Sequence, residues 1–166
     1  MNFADLPAGA SVFLDANVFV YHFTQHPQFG APCTELLARI ERQEVTGFSA
    51  THVLTEVAHR LMTIEAAALM GWPFAGIMRR LKRHPEVVQQ LVSFRQAIER
   101  VCTSRIQLLT IPPHFIAAGT ICSQQTGLLS SDAMIVVVMQ HQALSNLASL
   151  DEDFDRVSGL TRYEPT

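Results

Sequence analysis

A chain of 166 residues that is 48% hydrophobic and only 16% charged has the balance of one packed globular domain spanning 1–166, which excludes a disordered or low-complexity protein. Fifteen acids against twelve bases leave a formal net charge of −3, so no overall basic field draws in a polyanion, and a nucleic-acid partner has to be held locally or through a bound cation. Three cysteines, Cys33, Cys102 and Cys122, lack CxxC spacing, which argues against a disulfide framework and a zinc ribbon, and no basic start leads into an apolar signal core; an unexported, cytoplasmic protein without membrane spans is expected.

In chain order, the apolar run Val12-Phe13-Leu14 reads as a buried strand that stops abruptly at Asp15, with a short helical turn over 17–23 and a Pro- and Gly-bearing loop over 26–32. From Thr34 onward, Leu36, Leu37 and Ile40 form the apolar stripe of an amphipathic helix whose outer face carries Glu35, Arg39, Glu41 and Arg42. A second strand is expected over 45–50. Thr51 is the expected N-cap of a helix running to about Leu69, with Val53, Leu54, Val57 and Leu61 at helical spacing. Gly71-Trp72-Pro73 breaks it, and 74–101 reads as a further helical segment interrupted at His84-Pro85, where Pro85 suits a first turn. Residues 106–111 make a third strand and 114–126 a helix with Gly127 just past its end. Ser130-Ser131-Asp132 opens a helix whose apolar body, 133–139, is expected against the sheet. A fourth strand over 147–150 ends in Asp151, and 160–163 adds a small fifth. Strands alternating with helices give an α/β fold with a parallel sheet covered on both faces.

The carboxylates fall into two groups. Glu35, Glu41, Glu44, Glu65, Glu86 and Glu99 sit on expected outer faces or segment ends, where solvation explains them. Asp15 and Asp151 instead end strands, while Glu56 and Asp132 lie near the starts of helices. Those positions share one rim of a parallel sheet, the rim where ligands bind. Two carboxylates about 5 Å apart repel by roughly 3 kcal/mol at an effective dielectric of ~20, so four together call for a counter-charge. A hard cation with oxygen ligands, Mg²⁺ or Mn²⁺, meets that need and suits chemistry at a phosphodiester.

FLDANVFVY, Glu56 within THVLTEVAHRL, GLLSSDAMIVVVM, and LASLDEDFDRVSGL with Tyr163 together resemble the PIN-domain family, most closely its VapC-type toxins and their stand-alone relatives. The resemblance covers residues 12–69 and 106–165. It implies a three-layer fold with a parallel sheet of four or five strands, and a metal-dependent endoribonuclease acting on single-stranded RNA. A homodimer and a cognate antitoxin are implied partners. Matched by position, Asp15, Glu56, Asp132 and Asp151 stand as the acidic quartet, with Asn17 as the polar residue two beyond the first acid and Ser149 where a threonine is common; these two are the candidate substrate contacts. Asp153 and Asp155 compete with Asp151, which is favoured because it ends the strand, with Asp153 second. A helical insertion around residues 70–102 departs from the family pattern.

Blander and rival readings stand beside this one. Asn17 serves equally as a turn-stabilising side chain, and Ser130 and Ser131 read as helix caps in place of nucleophiles. Arg79, Arg80, Lys82 and Arg83 read as a solvated face, with an RNA-backbone track as the sharper alternative. Trp72, Phe74 and Phe94 read as core or interface before they read as base-stacking platforms. His52, Glu56 and His59 share a helix face but not the HExxH spacing of a zinc site. Phosphatases and receiver domains with a strand-terminal Asp require a lysine near the acids, and Lys82 is the only lysine. Phosphate-cradling glycine motifs are absent. The rival function is a catalytically silent PIN-like module that binds RNA or serves an assembly.

Overall fold

Five short strands and eight α-helices alternate along residues 1–166, all of which the computed structural model describes. The strands are β1 (Ser11–Leu14), β2 (Thr46–Ala50), β3 (Gln107–Leu109), β4 (Asn146–Ala148) and β5 (Thr161–Tyr163), all parallel in the order β3-β2-β1-β4-β5. The helices are α1 (Ala16–Phe23), α2 (Gly30–Glu41), α3 (Thr51–Met70), α4 (Ile77–Arg83), α5 (Pro85–Gln90), α6 (Ser93–Thr103), α7 (Pro113–Thr126) and α8 (Ser130–His141). Right-handed crossovers send α1 to α6 to one face of this sheet and α7 and α8 to the other. The packing follows: α1 lies on α2 and α3, α3 on α6, and α7 on α8. No helix is long and apolar enough to cross a membrane.

β1 is central because its side chains are apolar on both faces. Val12, Phe13 and Leu14 are all fully buried, as a strand covered by helices on both sides demands. Phe13, Phe19 of α1 and Phe154 are among the largest fully buried side chains of the main core. At Gly47 of β2 a methyl group would stand 2.6 Å from Ile40 Cδ1, so the bare backbone there is what lets α2 lie close to the sheet. A reversal of strand order occurs at β1, since the chain moves from β1 through β2 to β3 on one side and returns to β4 on the other. In such sheets the crevice opens between the carboxyl ends of the two strands at that reversal. Here those strands are β1 and β4, whose ends deliver Asp15 and Ser149.

Several boundaries differ from the sequence expectation. α2 starts at Gly30, not Thr34, because Pro32 falls in the first turn, where a missing N–H costs nothing. Thr51 is the first residue of α3 and makes no capping bond; Ala50 holds the cap position. β4 ends at Ala148, so Asp151 lies beyond the strand and caps the 3₁₀ turn Glu152–Arg156. The insertion contains a second break, at Leu91-Val92, and its cause is Glu65. That side chain accepts from the backbone N–H groups of Val92 (2.8 Å), Ser93 (2.9 Å) and Phe94 (3.0 Å), capping α6 from across the fold. Burial pushes the Glu65 carboxyl up, but these donors outweigh it and hold it below its ordinary value. Glu65 is therefore a structural cap, not a solvated side chain.

α4 and α5 pack on the far end of α3 through a small apolar cluster of their own, Ala66, Ala67, Ile77, Leu81, Val87 and Leu91. Gly71, at φ 63, ends α3 in the left-handed region and turns the chain into this insertion.

Candidate active site

Asp15 follows the last residue of β1 and is the N-cap of α1, its Oδ1 accepting from the Ala16 N–H at 2.6 Å. Its Oδ2 accepts from Ser149 Oγ at 2.7 Å and from the Asn17 side-chain amide. That amide also donates to Ser149 Oγ at 3.0 Å, and Ser149 Oγ accepts in turn from the Asp151 N–H at 3.0 Å. Asn17 Oδ1 meets the Leu150 N–H at 3.4 Å. All three side chains are buried, and their polar groups are engaged with one another and with residues 150–151. Asp15 thus both caps a helix and stands at the crevice. Burial pushes its carboxyl up to about 6, with the Ser149 and Ala16 hydrogen bonds pulling down and the Glu56 charge pushing further up.

Glu56 stands on α3, its Oε2 accepting from Ser131 Oγ at 3.2 Å and its Oε1 3.6 Å from Arg60 one turn on. Neither Ser130 nor Ser131 caps α8, whose N-cap position is Leu129; Ser131 joins α8 to Glu56 instead. Asp132 lies in the first turn of α8. Burial raises its carboxyl to about 6, and the charges of Asp15, Asp151, Glu56 and Asp153 add to the rise. Residues scattered from position 15 to position 153 are therefore close enough to oppose ionisation of one side chain. Asp153 N–H donates to Asp151 Oδ1 at 2.9 Å, and Asp153 Oδ1 pairs with Arg156 at 2.6 Å. Asp155 is turned to other work: Arg162 grips it at 2.8 and 2.9 Å and holds its carboxyl below the ordinary value.

The family model for the PIN domain matches residues 12–160, nearly the whole chain. The chain belongs to the PIN-domain family. Its fold is that of solved VapC structures. VapBC2 from Rickettsia felis, bound to a DNA fragment of its promoter, superposes with a TM-score of 0.54 at 17% identity, covering 93% of this chain and 98% of that one. VapC20 from Mycobacterium tuberculosis, described as a sarcin-ricin loop cleaving toxin, gives 0.60 at 13% identity over 87% and 92%. A toxin–antitoxin complex from Klebsiella pneumoniae gives 0.54 at 14% over 90% and 95%. Comparison with curated proteins finds no match.

PIN domains are in general nucleases that use divalent metal ions, and the donor chemistry here fits such an ion. The converging side chains offer carboxylate oxygen only, and their mutual repulsion is what a cation relieves. No three His, Cys, Asp or Glu side chains close into a finished cage. A hard divalent cation keeps several waters and needs only a few carboxylates. His59 is exposed, and the ring nitrogens of His52 are buried without hydrogen-bond partners. Burial lowers the pKa of His52, while the Ser131 backbone and Glu56 raise it.

Arg60 and Arg156 are not singled out by the sequence, and Ser131 is read there only as a helix cap. Arg60 was legible, since a base four residues after an acid on a helix forms a pair. Ser131 was not, because its partner lies in another helix.

Proposed function

We propose that this PIN domain is a Mg²⁺- or Mn²⁺-dependent endoribonuclease cleaving single-stranded RNA, and the toxin of a toxin–antitoxin pair. The observation that carries the reading is the gathering of acids from distant parts of the chain at one rim of the sheet: Asp15 at the end of β1 joined through Ser149 to the Asp151 backbone, and Glu56 of α3 joined through Ser131 to the first turn of α8, which holds Asp132. Asp15, Glu56, Asp132 and Asp151 would hold the cation, with Asp153 as a further candidate ligand. When bound, it supplies the positive charge that lets an acidic pocket accept a phosphodiester and lowers the pKa of water beside it.

The chain's own residues do the rest. Ser149 and Asn17 fix Asp15 in one rotamer, so they are positioning residues for the acid more than contacts for RNA. Ser131 and Arg60 do the same for Glu56. The raised Asp132 carboxyl belongs to the metal-free site, and the repulsion behind it is what a bound cation would relieve; one carboxylate of the cluster would then receive the proton of the attacking water. The likeness to a toxin described as cleaving the sarcin-ricin loop supports RNA as substrate, and the likeness to toxin–antitoxin complexes supports an antitoxin partner.

The test is Mn²⁺-dependent cleavage of a labelled single-stranded RNA by wild type, Asp15→Asn and Asp132→Asn. Cleavage by the wild type alone, with unchanged circular dichroism for all three, is the expected result; full activity in either variant rejects the assignment.

A further inference from the structure

Half of the twelve cationic residues are tied to carboxylates: Arg39, Arg42, Arg60, Arg95, Arg156 and Arg162. Of the six that are not, four lie on one seven-residue helix, α4: Arg79, Arg80, Lys82 and Arg83, all exposed. At 100° per residue they occupy about 160° of the helix surface, opposite the buried Ile77 and Leu81. One cation is enough to answer the partial charge at a helix C-terminus, yet three sit in this last turn. Arg79 and Arg83, one turn apart, repel each other with no acid between them. Glu86, the only acid between Met70 and Val92, bonds His84 at 2.9 Å. The rest of the chain has eight cations against fourteen acids, so this face is a basic island on an acidic protein.

Aromatic surface adjoins it. Trp72 lies under Arg80, whose guanidinium carbon is 5.9 Å from the ring centroid, and beside His84 at 5.5 Å. Phe74, two residues on, is 63% exposed. The island is also tied mechanically to the acids, because α3 carries Glu56 near its start and Ala66 and Ala67, against which α4 packs, near its end. Ten residues of helix put these about 15 Å apart along the axis, a span that several nucleotides of single strand cover.

We propose that the outer face of α4, with Phe74 and Trp72 beside it, binds the phosphates and an unstacked base of single-stranded RNA away from the acid cluster. Unpaired cations neutralise phosphates and release their counterions, and a bare ring accepts any base, so the platform adds affinity without reading sequence. That the polyanion is RNA rests on the nuclease reading; the charge argument alone does not require it.

The test is fluorescence anisotropy of a labelled single-stranded RNA with the full-length protein in EDTA, where no cleavage occurs. The variant R79Q/R80Q/K82Q/R83Q is expected to bind about tenfold or more weakly, with the slope of log K against log salt shallower by about 3, at ~0.7 per lost phosphate contact. Phe74→Ala is expected to weaken binding about fivefold or more. Arg95→Gln, which removes a cation already paired with Glu99, is expected to leave metal-free binding unchanged. If the quadruple variant melts early, R79Q/R83Q is used, with half the slope change. Equal affinity and slope for wild type and variant overturn the proposal, as does a wild type that does not bind RNA in EDTA. Polyglutamate of matched charge displacing the label as well as unlabelled RNA also overturns it, in favour of an acidic polypeptide. RNA bound by the wild type and lost in the variant, with no cleavage by either once Mn²⁺ is added, upholds the platform and rejects the nuclease.

Discussion

The crevice at the ends of β1 and β4 and the insertion around α4 are opposites in construction. In the crevice, like charges are gathered around a buried Asp15 that its neighbours hold in place, with Ser149, Asn17 and the Ala16 N–H all aimed at it. On α4, like charges are exposed and no carboxylate pairs with them. Burial makes charge expensive, so the crevice has to be ordered before its ligand arrives; exposure makes charge cheap, so the insertion can remain loosely specified. The crevice rests on the main core, whereas the insertion rests on six apolar residues. The first arrangement suits chemistry and the second suits capture.

The sharpest way to break this contrast is through the two cores. Phe13→Ala, in the central strand, is expected to cost about 3–5 kcal/mol and lower the stability of the whole fold, measured by urea unfolding. Leu81→Ala is expected to cost about 2 kcal/mol and to raise hydrogen exchange in 77–90 while the strands stay protected. Equal loss of protection in both regions would show that they unfold together. At the crevice, Asp132→Asn is expected to lower cleavage about 100-fold or more while leaving RNA binding intact, separating the regions by function.

Metal-free stability should also depend on pH because of the crevice. Asp15 has a folded value of about 6 against an ordinary 3.8, so the folded state binds the proton more tightly and the contribution of Asp15 to stability is fully present only below about pH 4. As pH rises toward 6 the unfolded chain loses its proton first, and by pH 7 about 3 kcal/mol is lost, an order-of-magnitude figure at ~1.4 kcal/mol per pKa unit. Mn²⁺ is expected to restore stability at pH 7 more than at pH 5, read as the shift in melting midpoint. The α4 cations have no part in this, so the quadruple glutamine variant should show the same pH curve. An effect of similar size is expected from Ser149→Ala. Loss of a hydrogen bond to a buried carboxylate costs about 1.5–3 kcal/mol and raises Asp15 further, moving the fall in metal-free stability to higher pH. An unmoved curve would remove Ser149 from the Asp15 network.

Alternation of apolar runs and amphipathic stretches made the parallel α/β sheet legible, because each strand is short, continuous and bounded by turn residues. The acids at strand ends and helix starts were legible for the same topological reason. What depended on distant partners was not. Glu65 reads as solvated until α6 arrives to be capped, and Ser131 reads as a cap until Glu56 stands opposite it. Asp155 matches its neighbours in sequence but is removed from the crevice by Arg162, which β5 supplies. Asp151 was placed at the end of β4, but pairing with β1 and β5 stops at Ala148, and Ser149 turns inward to Asp15.

The central claim is that Asp15 and Asp132 face a common cation. Calorimetric titration of the metal-free protein with Mn²⁺ at pH 6, in two buffers of different ionisation enthalpy, tests it most directly. Both carboxyls are about half protonated there, so binding is predicted to expel about one proton in total, seen as a buffer-dependent heat. No saturable heat, or the same heat in both buffers, would contradict the claim.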